Sequence, residues 1–589
     1  ISGLILKDKF ICHLAYEHDF IERFNNMIAC SFDWQEHVFI VYNKIAWDSS
    51  KRYNLKNSYY ITRFDDDHVS FLLERSSQIV VHCLHTHDLT DYLYRNGHLL
   101  YKTNWLLWGA DLYLYRCPGT DINPIENEAK RRCIIKRLGY ITVSFKEEYD
   151  LAIQVYGGNA QYRFGFYPQP IDFPQYPPAP RKRRKRQTRN ILVGNSGWPS
   201  SNHEQAFSVL SRFRDKDIRV FCPLSYGIPE YIEKVCAIGK ETFGDKFVPL
   251  RKFIRPDRYL KLLNSMDLVV MNHDRQQAAG NIISSLFLRK KVYMKPHITT
   301  YRSLGNLGVS IYDIGELSVK DFDDVFAFPE ETGLANSEII EATYSWKNCV
   351  ESWGSVFTEA LEQKVCAPPS QNVSSEMTSE ACTFMAKAAL ANGRLEEAET
   401  LLNEALSHDP DAPQTLHQLA LLRHSQGDTR HALKIMDRAV RLAPQDAEMV
   451  NDLGALYYLS GNIDKALHFL DKAVGLDQSL LDARKNLAEL LEKKGRHKEA
   501  EKHYLAILNA YPDDTDAIGG LNRVRSPGIT STAATTLEPS HTPTESGHII
   551  SRGCFDPPQD TRQRLLKQKV ERILFVNHDL YPFERSGTP

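Results

Sequence analysis

Long apolar runs are missing from this 589-residue chain: no stretch approaches about eighteen consecutive apolar residues, the length a membrane-spanning helix needs. The amino end, ISGLILKDKF, lacks an apolar core followed by a small-residue cleavage site, so nothing in it reads as a secretory leader. These two absences predict a cytoplasmic protein. Paired cysteines are missing too. Eleven cysteines lie scattered without a CxxC, which argues against a zinc ribbon or a disulfide framework and fits reduced thiols. A formal charge of −2 leaves no global field to attract nucleic acid. One basic run, Arg181 to Arg186, has no interleaved aromatics on which bases could stack. It reads either as a solvated linker or as a segment drawn to anionic headgroups at the inner face of a membrane, and no nucleic-acid partner is expected.

What is present is enough for several domains. From Lys9 to about Gly165, β-rich runs (FICHLAY, HVFIVY, QIVVHCL, NWLLW, YITVSF) alternate with helical windows near Ile21 to Ala29 and around Ala129. Such alternation predicts an α/β domain with a mainly parallel sheet. FPQYPPAPRKRRKRQTRN breaks both periods and reads as a linker. The alternation then restarts with ILVG, IRVFCPL, KFVPLRKFI, DLVVMN, KVYMK and VSIYDI, predicting a second α/β domain and a cleft between the two.

Past Lys364 the pattern is helical and repeats. Gly393, Gly427, Gly461 and Gly495 recur every 34 residues, and an alanine follows each by five: Ala398, Ala432, Ala466 and Ala500. Ala405, Ala439 and Ala473 follow the glycines by twelve, with Ile507 as the exception; Pro410, Pro444 and Pro512 follow by seventeen, with Gln478 as the exception. Glycine ends one helix, small residues let helices cross closely, and proline restarts the pair, as in a tetratricopeptide array.

In open parallel sheets, ligands gather at the carboxyl ends of strands. Two loops there suit phosphate. In ILVGNSGWPSSNHEQA, small residues and a helix start follow a strand; in MNHDRQQAAGN, an arginine precedes a helix start near Asn281. In the first domain, TNWLLWGADLYLY delivers Asp111 at a strand end, where a carboxylate could deprotonate a hydroxyl or simply cap a turn. His82, His85, His87 and Asp88 have metal-ligating side chains, as have Asp65 to Asp67, but loop spacing fixes no geometry, and no metal site is expected.

WGADLY, ILVGNSG, SNH, CPLSYG and DLVVMNHDRQQAAGN stand in the order and approximate spacing of the bacterial TDP-N-acetylfucosamine:lipid II N-acetylfucosaminyltransferases, the 4-alpha-L-fucosyltransferase family, which the chain resembles from about Lys9 to Leu361. The resemblance implies a GT-B enzyme. Donor contacts would come from Gly194, Asn195, Ser196, Gly197, Asn202, His203, Pro223, Tyr226, Arg275, Gln276, Gln277, Gly280 and Asn281. Asp111 or His82 would be the catalytic base. Ala278, Ala279 and Asn281 depart from the family's more glycine-rich pattern, and the repeat array is not part of a typical member.

The expectation is therefore an α/β GT-B glycosyltransferase followed by an all-α tetratricopeptide solenoid. Its parts would be an acceptor-side domain (1–172), a basic linker (173–190), a nucleotide-sugar domain (191–362), a linker (363–378), four repeats (379–514), a capping helix (515–525) and a disordered linker (526–565). Residues 566–589, ending in SGTP, look like the truncated start of another GT-B domain, so the chain reads as a fragment of a longer protein. It would move an N-acetylfucosamine-like sugar from a nucleoside diphosphate, TDP by resemblance, to a glycan or lipid-linked acceptor without cofactor or divalent metal. The repeats would hold a protein or peptide partner. Two alternatives are a repeat-directed protein glycosyltransferase and a scaffold carrying an inactive transferase domain. Arg275 on its loop is expected to contribute little to stability.

Overall fold

A computed structural model describes residues 4–16, 18–42, 55–120, 123–169, 173, 188–362 and 373–525. The basic run Arg181 to Arg186, most of the linkers at 173–190 and 363–378, and all of the expected linker at 526–565 and second GT-B start at 566–589 lie outside these residues. The chain divides into two compact units, with the boundary between Gln371 and Asn372.

The first unit opens with β1 (Ile11–Tyr16), α1 (Asp19–Ser31), β2 (His37–Tyr42), β3 (Ser58–Ile61), α2 (Asp67–Arg75), β4 (Gln78–His82) and α3 (His87–Arg95). It continues with β5 (Thr103–Leu106), α4 (Ile125–Arg137), β6 (Tyr140–Val143), α5 (Lys146–Tyr156) and β7 (Gln161–Phe164). All seven strands pair in parallel, in the order β3-β2-β1-β4-β5-β6-β7. Helices cover both faces of such a sheet, which is why β1, β2 and β4 are apolar almost throughout.

A second doubly wound domain follows: β8 (Arg189–Val193), α6 (His203–Leu210), β9 (Ile218–Pro223), α7 (Pro229–Phe243), β10 (Phe247–Leu250), α8 (Pro256–Asn264) and β11 (Leu268–Met271). Then come α9 (Ala279–Phe287), β12 (Lys291–Met294), α10 (Thr299–Asn306), β13 (Tyr312–Asp313), α11 (Phe322–Phe326), α12 (Glu330–Tyr344) and α13 (Trp346–Glu362). Its parallel order, β10-β9-β8-β11-β12-β13, reverses direction between β8 and β11 as the first sheet does between β1 and β4. Proline at the first position of α7 and α8 fits there because that N–H has no intrahelical partner.

Two features depart from the sequence reading. Phe173, placed at the head of the linker, is buried and stacks on Phe287 of α9 with ring centroids 4.3 Å apart. And α13, assigned by position to the second domain, packs on the first. Trp353 Nε1 donates to the Phe166 carbonyl (2.9 Å), Lys9 Nζ donates to the Leu361 carbonyl (2.6 Å), and Arg163 pairs with Glu359 (2.5 Å). An amphipathic period states that a helix must bury one face, not which domain covers it.

The second unit is a solenoid of paired helices: α14 (Val373–Ala391) with α15 (Leu395–His408), α16 (Pro413–Ser425) with α17 (Thr429–Leu442), α18 (Ala447–Leu459) with α19 (Ile463–Leu476), and α20 (Leu481–Lys493) with α21 (His497–Ala510). α22 (Thr515–Arg525) packs Ala517, Leu521 and Val524 against the last pair. Gly393, Gly427, Gly461 and Gly495 end the first helix of each pair at φ of 71°, 87°, 82° and 72°, the left-handed conformation that glycine adopts without strain. Ala398, Ala432, Ala466 and Ala500 are fully buried where helices cross. The array starts at Val373, ahead of the expected Ser379, because the marked positions all follow the first helix of a pair and none marks where it begins. Polar side chains link successive pairs inside the array: Thr383 to Thr415 (2.7 Å), His417 to Asp452 (2.8 Å) and Asn486 to Asn451 (2.9 Å).

Candidate active site

Within the first unit, the carboxyl ends of β1, β5 and β7 face those of β8 and β11 across a cleft of about 550 Å³. The first domain contributes His18, Phe20 and Arg23 from the start of α1, Trp108 and Ala110 from the WGAD turn, and Tyr167 beyond β7. The second contributes Asn195, Tyr226, Phe253, Tyr259 and the run from Arg275 to Asn281.

On the second domain the loops after β8 and β11 are tied to each other. Gln277 Nε2 donates to Asn195 Oδ1 (2.9 Å), Ser200 Oγ donates to Gln277 Oε1 (2.6 Å), and Asn195 Nδ2 donates to Tyr226 Oη (3.0 Å). Arg275 and Gln276 are buried here, the Arg275 Nη1 donating to the Gln276 carbonyl at 2.9 Å. The expectation that Arg275 adds little to stability is corrected: its guanidinium is packed into the loop. Ala278 holds φ 60°, costly for a residue with a Cβ, and from it α9 starts with its first turn on the cleft. The free N–H groups of that turn and Arg275 form one electropositive edge. Gly280 is not required by crowding, since an added Cβ would meet only Gln169 Oε1, at 3.8 Å.

Other residues expected at the donor site support these loops from behind. Gly197 bridges to Gly227, its N–H donating to the Tyr226 carbonyl (2.7 Å), and a Cβ on it would come within 2.2 Å of Ile232. The second glycine of GNSG thus permits a close backbone approach. Gly194 holds φ 69° against the His203 ring. Asn202, at φ 47°, exchanges amide bonds with Asn272, and His203 is buried beside Tyr231, where desolvation lowers it to about 3. Ser196 and Pro223 are buried as well, and none of these six lines the cleft.

In the first domain, Asp111 is not positioned as a base. Its carboxylate is fully buried and accepts from the Leu84 N–H (3.0 Å), Trp105 Nε1 (2.7 Å) and the Trp108 N–H (3.0 Å), while Arg131 binds its carbonyl (2.6 Å). It holds the WGAD turn in shape. Gly109, at φ 97°, lets that turn meet the second domain, since a Cβ there would fall 1.8 Å from Gln276 Oε1. Tyr113 Oη donates to Glu148 of α5, which also accepts from Thr299 of α10, and desolvation raises this interdomain carboxyl to about 7.

His82 is also fully buried and does not line the cleft. Its Nδ1 meets the Tyr167 hydroxyl at 2.5 Å and its Nε2 meets His13 Nδ1 at 3.0 Å. Tyr167, not His82, faces the cleft, and its oxygen also accepts from Trp108 Nε1 (2.7 Å). Sequence reasoning missed His13, His37, Tyr167 and Phe253; no linear motif marks them, because they converge from β1, β2 and separate loops.

The candidate metal residues are dispersed. His85 contacts Cys83, Asp88 accepts from Tyr42, Asp65 pairs with Arg95, and Asp66 caps α2. Among the described residues no three His, Cys, Asp or Glu side chains converge as metal ligands, and no helix is long and apolar enough to cross a membrane.

Residues 15–292 match the family described as 4-alpha-L-fucosyltransferase, glycosyl transferase group 56. Residues 380–422 match a tetratricopeptide repeat, and 425–507 match the family of subunit 3 of the anaphase-promoting complex, or cyclosome. Among solved structures, a glycosyltransferase from Rickettsia africae ESF-5 is 11% identical, with a TM-score of 0.46 over 61% of this chain and 100% of its own. A sucrose-phosphate synthase from Thermosynechococcus elongatus is 9% identical, with a TM-score of 0.44 over 59% and 98%. A tetratricopeptide protein of Thermus thermophilus is 22% identical, with a TM-score of 0.23 over 26% and 90%. The chain is a glycosyltransferase built as two parallel sheets followed by a tetratricopeptide solenoid.

Proposed function

We propose that the cleft takes a nucleoside-diphosphate sugar, an N-acetylfucosamine-like hexose on TDP, and transfers it to a glycan or lipid-linked acceptor. The observation that carries this reading is the asymmetry of the cleft walls. Arg275, the Asn195 and Gln277 amides and the amino end of α9 face it from one side; Phe20, Trp108 and Tyr167 face it from the other. The first wall suits a diphosphate and the second suits the apolar faces of sugar rings.

As the sugar C1–oxygen bond breaks, charge grows on the departing diphosphate. Arg275 and the helix amides stabilise it without reorganising, so the reaction runs without a divalent cation. The basic run Arg181 to Arg186 draws the enzyme to an anionic membrane surface where lipid-linked acceptors lie, at about 1 kcal/mol per basic residue. The solenoid holds a protein or peptide partner.

The test incubates the full chain, in EDTA, with UDP-, GDP- and TDP-linked hexoses, recording thermal shift and nucleoside diphosphate release. A ligand present at about 100 times its Kd stabilises the folded state by about 2.7 kcal/mol, so a true donor gives a clear shift. No shift and no release with any donor refutes the assignment; release that appears only on adding Mn²⁺ refutes the metal-free mechanism.

A further inference from the structure

Behind the aromatic wall of the cleft runs an unbroken line of hydrogen bonds through the first domain. It passes from Tyr167 Oη to His82 Nδ1 (2.5 Å), from His82 Nε2 to His13 Nδ1 (3.0 Å), and from His13 Nε2 to His37 Nδ1 (3.0 Å). The three imidazoles come from the adjacent strands β4, β1 and β2, each at most 1% exposed. His13 is clamped flat on Phe39 with ring centroids 4.4 Å apart, and Phe24 and Phe357 close its edges. Buried apolar sheet interiors rarely carry such side chains, and a histidine needed only for packing would not require both ring nitrogens matched to another histidine.

Desolvation holds all three rings neutral, His82 and His37 down to about 3 and His13 well below its ordinary value. A neutral imidazole has one donor nitrogen and one acceptor nitrogen. The bond pattern therefore locks the tautomers together. If His13 carries its proton on Nε2, then His37 Nδ1 must accept, His82 Nε2 must donate, and His82 Nδ1 must accept from Tyr167. If His13 carries it on Nδ1, every bond reverses and Tyr167 Oη accepts from His82. Trp108 Nε1 can only donate, so in both arrangements it donates to Tyr167 Oη (2.7 Å). Tyr167 thus has its hydroxyl proton either on the bond to His82 or turned away from it, and the choice is common to the whole line.

We infer that Tyr167 is the group that takes the proton of the attacking acceptor hydroxyl, and that His82, His13 and His37 relay a proton away from it. This rests on the glycosyl-transfer reading above. As the acceptor oxygen forms its bond to the sugar C1, the C1–oxygen bond to the diphosphate breaks and its electron pair leaves with the diphosphate. The acceptor proton moves to Tyr167 Oη, the tyrosine proton to His82 Nδ1, the His82 Nε2 proton to His13 Nδ1, and the His13 Nε2 proton to His37 Nδ1. His37 releases its Nε2 proton, so one proton enters and one leaves. That proton would leave toward Asp33, a surface carboxylate whose charge favours protonation of His37. Tyr167 is the catalytic residue; the three histidines act through it.

Two measurements on the full chain test this. Nitrogen-15 NMR of histidine-labelled protein, with assignments from single His→Gln variants, should find His13, His37 and His82 in one shared tautomer. One of the three in the opposite tautomer breaks the line and overturns the relay whatever the activity. In kinetics with UDP-, GDP- and TDP-linked hexoses, Tyr167→Phe should lower kcat by about 10²-fold or more, the contribution of a general base, while donor KM and donor-induced thermal shift stay at wild-type values. In mixtures of light and heavy water, wild type should show a curved dependence of kcat from several protons in flight, and His13→Phe a reduced kcat with a linear one. Wild-type kcat in Tyr167→Phe, or an unchanged curve in a folded His13→Phe, overturns the proposal. If wild type releases nucleoside diphosphate from none of the donors, the functional reading fails and the tautomers alone decide the relay.

Discussion

The two Rossmann-like domains share a strand order and a switch point, yet turn different chemistry toward the cleft. Beyond the ends of β1, β5 and β7 the first domain puts Phe20, Trp108 and Tyr167, backed by neutral histidines. At the ends of β8 and β11 the second puts amides, a helix amino end and a buried guanidinium. Topology locates a crevice; side chains decide what charge it tolerates. The contrast suits a reaction in which negative charge accumulates on one substrate while a proton must leave the other.

The largest effect expected from this contrast concerns acid. His13, His37, His82 and His85 are held neutral in the first domain, and His203 and His273 in the second, each mainly by desolvation. Their folded pKa values lie below the unfolded value near about 6.5. The unfolded chain therefore binds more protons as pH falls from about 6.5 toward 3, and stability is lost through that window, at about 1.4 kcal/mol per pH unit for each histidine. Hydrogen exchange between pH 6.5 and 4 should show the first domain opening before the second. Simultaneous opening would remove the distinction.

Next in size is Arg275→Ala, which should lower kcat by roughly a hundredfold, about 3 kcal/mol in the barrier, and abolish the donor-induced thermal shift. Arg275→Lys should recover only part, because an ammonium cannot make a forked contact. Wild-type turnover in Arg275→Ala would strip the second domain of its assigned role. Asp111→Asn tests the first domain from the other direction: placing an amide against three donors should cost about 2 kcal/mol of stability by thermal melting while the folded fraction keeps its kcat. A large kcat loss at full stability would return Asp111 to the chemistry.

The smallest effect separates two glycines of the second domain. Gly280→Ala should change stability by less than about 1 kcal/mol, as it replaces glycine in a helix with open space around it. Gly197→Ala, with a Cβ forced to 2.2 Å from Ile232, should destabilise measurably more in the same melts. Equal effects would mean that the Gly197 to Gly227 bridge is unimportant to the donor-side loops.

The strands of the second domain were legible because each is a short apolar run between turn signals, and a buried parallel strand can hardly look otherwise. β3 and β7 were not: SYYI and QYRF are only partly buried, so polarity masks them. At the site, Arg275, Gln276 and Gln277 were readable because one loop carries them together. Asp111 was misread because its residue type and strand-end position fit a base as well as a turn anchor, and only its three N–H partners tell the two apart.

By itself the sequence determined everything that depends on local periodicity: two α/β domains, a solenoid with a 34-residue repeat, and helix ends set by glycines whose backbone later shows positive φ. Tertiary structure alone decided which side chains meet. The return of α13 to the first domain, the seating of Gly109 on Gln276 and the line from Tyr167 to His37 join residues far apart in the chain. The physical reason is that burial and hydrogen-bond satisfaction are properties of the folded volume. A residue's neighbours along the chain constrain its backbone, while its protonation and chemical role follow from neighbours that only folding supplies.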